Sequence, residues 1–307
     1  MNNKGSKLSA DFGGIIFVRD VLEDLATERY FDASHEDSSS SPIDLFIENS
    51  TRLNKLWVTR DPEETLEPEL SVMLTLGYVS AVESFMRALI RRVVEIDLHA
   101  QVGCETYVLT FAAAKNHKQA MLPEALLEET VFSGAKGLKD GLKKFIGIEV
   151  NSSGLNKLLD HYVKVCEIRH CCVHRFGKLG TKNAVQLGLD KHKKLLEKPL
   201  QLRTKDVASI ADLLFSLVKA INNEIFGFLL RRSAVMKLPK SEAVGIGWTW
   251  NWQKDRKKYM EYYNIFCSAL DEKPSPPARE LYDRFRDVLG RSKISNNGKS
   301  KSTSKAA

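Results

Sequence analysis

Glu167-Ile168-Arg169-His170-Cys171-Cys172-Val173-His174-Arg175-Phe176-Gly177 closes a helical pattern that opens at Asn151-Ser152-Ser153. The oxygens at the opening suit an N-cap, because they accept hydrogen bonds from the unpaired N–H groups of a first turn. Gly177 suits the other end, where a left-handed residue stops a helix. With His170 set at 0° and about 100° per residue, Cys166 falls at about −40°, Leu155 and Val173 at about −60°, and Tyr162 at about −80°. Leu158 and Val165 follow at about −120° and −140°. These residues make one apolar stripe. Arg169, at about −100°, lies inside it; His174, at about +40°, lies on its rim, and His170 lies between the two.

A desolvated guanidinium loses several kcal/mol of hydration, so Arg169 needs an explanation. A structural ion pair with Glu83 on a neighbouring helix is one, and exposure at a frayed helix end is another. A third is a cleft in which Arg169 holds an anion and His174 moves protons.

Outward from this segment the chain reads as helical. Tyr78, Val82, Phe85, Leu89, Val93 and Ile96 recur at three- and four-residue steps after Pro68, predicting a helix of about eight turns. Glu83 flanks that stripe, while Arg87, Arg91 and Arg92 lie farther round. Further helices are predicted over 104–118 and 122–131, and a long one over 206–230 ending in Arg231-Arg232, two cations suited to the negative end of its dipole. Residues 178–204, with a basic cluster at Lys191, Lys193 and Lys194, read as a long loop or hairpin. Trp248, Trp250 and Trp252 alternate as in a short strand, followed by helices near 255–269 and 277–289. The expected fold is mainly all-α: an antiparallel bundle of four to five helices over 67–235. An N-terminal extension (1–66) precedes it. A Trp-containing helical appendage (236–290) and a disordered basic tail (291–307) follow.

Composition bounds the function. Five cysteines, three of them crowded at Cys166, Cys171 and Cys172, are not a disulfide framework; reduced thiols in a cytoplasmic protein are expected. No signal-peptide pattern and no uninterrupted apolar run long enough for a membrane span is seen, so no membrane partner is expected. The formal charge is +7, but residues 291–307 carry five basic residues and no acid, leaving +2 for the other 290. That balance permits RNA binding without arguing for it. Cys166, His170 and His174 are spaced at four-residue steps and suit zinc by type. With no second ligand cluster, small buried thiols beside histidines are the expectation, with no metal and no cofactor. The tryptophans, beside Lys254, Arg256, Lys257 and Lys258, either stack bases or anchor the appendage. GxxxxGK[ST], HExxH, GxSxG and GxGxxG are all missing from the sequence.

Arg followed after four to six residues by His occurs three times: Arg169–His174, Arg29–His35 and Arg92–His99. Only the first has the fuller form Arg-His-x-x-Val-His-x-x-Gly. In that form, and in Val82-Glu83-Ser84-Phe85-Met86-Arg87-Ala88-Leu89-Ile90, the chain resembles the HEPN superfamily of helical RNases, of the bacterial defence or abortive-infection type. The resemblance covers about residues 68–232. Arg175 departs from it, standing where such proteins often carry Asn. It implies a metal-independent endoribonuclease acting on RNA as a homodimer, in phage defence or another stress response. It also implies site roles. His174 would be general acid or base, Arg169 the cation over the phosphate, and His170 a partner in the proton work, with Glu83 and Arg175 in support. The reading from a different class is a catalytically idle helical domain that binds RNA, a nucleotide or a protein partner.

Overall fold

The computed structural model describes residues 15–16, 24–36, 38–118, 121–235 and 247–290. Within them lie eleven α-helices and no strand: α1 (Pro42–Asn54), α2 (Pro68–Ile96), α3 (Leu98–Cys104), α4 (Phe111–Asn116), α5 (Leu122–Ala125), α6 (Ala135–Gly141), α7 (Ser153–Arg175), α8 (Thr181–His192), α9 (Thr204–Val235), α10 (Trp252–Phe266) and α11 (Ala278–Phe285). The all-α reading holds. Residues 236–246 of the expected appendage and the expected basic tail (291–307) fall outside the described residues.

Two compact units divide the chain, Met1–Ser39 and Ser40–Ala307. The first contains a 3-10 turn over Thr27–Tyr30 and the exposed pair Arg29 and His35. The second begins earlier than the expected boundary at 66/67, because α1 belongs to the core. Ser41 caps α1, accepting from the Asp44 N–H at 3.3 Å, and Ile43, Phe46 and Ile47 are buried. The Asp44 carboxylate then accepts from the Ser268 hydroxyl and from the Ala269 and Leu270 N–H groups, tying α1 to the turn after α10. The expected extension and appendage therefore meet each other.

Helices α2, α7 and α9 pack on one another, and α1 and α10 pack on both α2 and α9. By length and composition α2 and α9 are apolar enough to cross a membrane; here each packs against the other helices of the core. α2 keeps the predicted eight-turn stripe, with Tyr78, Val82, Phe85, Leu89 and Val93 all buried. The region predicted as two helices over 104–131 is instead broken into α3, α4, α5 and turns.

Asp97 ends α2 and caps α3, accepting from the Ala100 N–H at 2.8 Å. Its carboxylate also takes the Tyr262 hydroxyl at 3.1 Å and the Arg232 guanidinium. Arg232 donates further to the Ile146 carbonyl. It therefore does not sit at the end of α9 as a solvated dipole partner; its side chain is 6% exposed, and that of Asp97 2%. Burial, then the nearby Arg232 charge, holds the His99 imidazole below its ordinary pKa, so the Arg92–His99 spacing ends in this structural network.

No strand forms at the tryptophans. Trp248 packs edge-on against Tyr259 and Phe285, Trp250 lies against Phe285, and Trp252 opens α10 against Tyr259 and Tyr282. Trp248 Nε1 donates to the Ser233 hydroxyl at 3.0 Å. These rings anchor α10 and α11 to the core, with Trp248 buried and Trp250 and Trp252 half-buried.

Removing one member of a dry ion pair leaves the other charge uncompensated, typically at a cost of about 3–5 kcal/mol. Asp97→Ala should lower stability by about that much in denaturant melts. A loss below about 1 kcal/mol would show that the network is not structural.

Candidate active site

Helix α7 is built as its sequence suggests. The Ser152 hydroxyl accepts from the Leu155 N–H at 3.3 Å, and Leu155, Leu159, Tyr162 and Cys166 are buried on one face. Helices α2 and α9 pack on α7, and residues 127–146 add to its cover. The Tyr162 hydroxyl donates to the Phe132 carbonyl at 3.0 Å, and Arg87 of α2 holds the same segment through the Leu127 and Thr130 carbonyls at 2.8 and 2.9 Å.

Beyond Cys166 the face loses its cover. Arg169 is half-buried, while His170, Val173 and His174 are exposed. Val173, expected to be buried, is 47% exposed. At this end the buried side rotates to Cys171 and Cys172. The two imidazoles lie side by side, ring centroids 5.8 Å apart.

The expected Glu83–Arg169 ion pair does not form. Among the described residues Arg169 has neither an ion pair nor a side-chain hydrogen bond, and Glu83 Oε1 is buried without a donor. The two still share a neighbourhood. Burial pushes up both the Tyr162 hydroxyl and the Cys166 thiol, and on each of them the Glu83 charge acts upward and the Arg169 charge downward.

The thiols recede from the chemistry. Cys166 is pushed up to about 12 and Cys172 to about 11, chiefly by burial. Cys166 points into the core while His170 and His174 face solvent, so the three are not gathered as ligands. Among the described residues no group of three His, Cys, Asp or Glu could hold a metal ion.

Helix α7 stops on two left-handed residues, Phe176 (φ 52°) and Gly177 (φ 84°). The Gly177 N–H returns to the Cys171 carbonyl at 3.0 Å. Phe176 is 75% exposed, an aromatic ring in a backbone conformation that favours glycine. The stretch that follows, expected as a loop, forms α8, kinked at Gly188, with its ends clipped together: the Leu179 N–H donates to the Lys198 carbonyl and the Leu200 N–H to the Gly177 carbonyl. Arg175 pairs with Glu197, and Asn183 Nδ2 donates to Glu167 Oε2 at 2.8 Å, so α8 sits on the flank of α7.

No family model, curated protein or solved structure matches the chain. The site therefore rests on its own geometry. It is an uncovered helix face. The cavity that α7 does line, about 320 Å³, is bordered by Ile168, Cys171 and Leu200 on another side of the helix.

Phe176→Gly should relieve the left-handed strain and raise stability by about 1 kcal/mol. A lower melting temperature would show instead that the ring packs on the fold.

Proposed function

We propose that this chain is a metal-independent endoribonuclease of HEPN type, working as a homodimer. The observation that carries the reading is the uncovered end of α7, where an unpaired half-buried arginine and two adjacent exposed imidazoles share one face.

RNA supplies its own nucleophile. The 2′-oxygen attacks phosphorus, the P–O5′ bond breaks, and the products are a 2′,3′-cyclic phosphate and a 5′-hydroxyl. One imidazole takes the 2′-OH proton and the other gives a proton to the departing 5′-oxygen. The Arg169 fork lies over the non-bridging oxygens as negative charge builds there. Base, acid and cation are then all protein groups, and the scheme needs no metal ion.

A convex helix face reaches a phosphodiester from one side only. Two copies facing each other would enclose it, and exposed Val173 supplies apolar surface on that face. Glu83, with an oxygen lacking a donor, would support Arg169 once the face is covered. A role in phage defence or a stress response, in the cytoplasm, belongs to the same reading.

With EDTA present, the parent protein should cleave RNA, and His174→Ala and Arg169→Ala should each reduce the rate at least about 100-fold. Full activity in either variant sinks the mechanism. Toxicity on expression should disappear in His174→Ala; equal toxicity favours an idle binding domain.

A further inference from the structure

The basic charge of the described chain is not spread evenly. Residues 178–198 hold six lysines against Asp190 and Glu197, a net +4 in a chain of +7. The last 17 residues contribute +5, so everything else sums to −2. Glu197 is already engaged by Arg175, and among the described residues none of Lys178, Lys182, Lys191, Lys193, Lys194 and Lys198 has an ion pair. All six are exposed.

This patch is fixed beside the candidate active site. The Leu179–Lys198 and Leu200–Gly177 backbone bonds close its root directly after α7, and the Asn183–Glu167 bond seats α8 on the flank next to His170 and His174. Phe176, at the root, turns its ring to solvent through a left-handed backbone. Exposed lysines attract phosphates, and an exposed ring offers a platform for an unpaired base. Together they match single-stranded RNA better than a folded acidic protein, which has no use for the ring.

We infer that the 178–198 segment, with Phe176 at its root, is the arm that receives a single RNA strand and leads it to the Arg169–His174 face. The inference rests on the ribonuclease reading for its choice of ligand. Its test reads binding, so the two can fail separately.

The full-length His174→Ala chain would be titrated into a fluorescent, unstructured RNA of about 20 nucleotides from about 50 to 300 mM salt. Replacing Lys193, Lys194 and Lys198 together by Gln should lower the log–log salt slope by about 2, at about 0.7 per lost phosphate contact on a single strand. Phe176→Ala should weaken binding about 5- to 100-fold and leave the slope in place. Melting curves confirm that each variant is folded. A charge-matched control, Lys136, Lys139 and Lys157 to Gln, lies on α6 and at the far end of α7, and should change affinity less than about twofold.

The arm is overturned if the arm variant behaves like that control, or if Lys299, Lys301 and Lys305 to Gln removes the slope instead. It is also overturned if the parent chain does not bind RNA, or if the arm lysines govern binding to phosphatidylserine vesicles and not to RNA. Lysine-dependent binding without cleavage by the wild-type chain retains the arm and rejects the nuclease. Cleavage with lysine-independent binding does the reverse.

Discussion

The extent of the cover over α7 is the constraint on which the site depends. One face of that helix runs from Leu155 through Tyr162 to Cys166 as a dry seam, then continues at the same angle into Arg169, His170, Val173 and His174. Over the first half, beside α2 and α9, lies the segment around Phe132, and Arg87 and Tyr162 pin it by its carbonyls. Each of those bonds satisfies a backbone acceptor that would otherwise be buried without a donor. Arg169 follows about one turn past Cys166, where this seam ends.

Two Arg–His spacings show that environment decides what such a pair becomes. Arg92 lies near the end of α2 and His99 at the start of α3, where Asp97, Arg232 and Tyr262 converge and burial disfavours a charged imidazole. That pair is drawn into architecture. Arg169 and His174 have the same chemical groups on a similar spacing, yet their helix end is open and their polar atoms lack protein partners. Spacing alone is symmetrical between the two cases; desolvation is not.

Much of this could be read from residue order. Periodicity located α2 and α7, Ser152 announced its cap, and the helical angle placed Arg169 on the apolar side. Those features are local, set within a few turns. What escaped was set by distant partners. Asp97 and Arg232 are 135 residues apart, and nothing in their local patterns pairs them. Alternation of tryptophans mimicked a strand, but each ring found an aromatic partner on α10 or α11. Around α8 the glycines and lysines suggested a loop; Ala184, fully buried against the core, and the Asn183 bond to α7 hold a helix there despite the kink at Gly188. Val173 was misplaced for the same reason that makes the site interesting, since an angle cannot say where a covering segment stops.

Away from the site, Asp97 pairs with Arg232, and Asp255 accepts from the hydroxyls of Tyr282 and Thr249 at 2.6 and 2.8 Å. Unsatisfied groups occur there too, at His99 Nε2 and Arg232 Nε, and Trp250 is left-handed. Several more lie around α7. Glu83 keeps a buried oxygen without a donor, Arg169 is half-desolvated without an acceptor, and Phe176 and Glu197 both adopt left-handed backbone without being glycine. Each such feature costs of order 1–3 kcal/mol and persists only where surrounding structure enforces it. Those at the exposed end of α7 stand beside the six exposed lysines of residues 178–198, an arrangement that would favour an anionic ligand. The free guanidinium and ammonium groups are stabilised when phosphate arrives, and groups already satisfied within the fold would gain nothing from it.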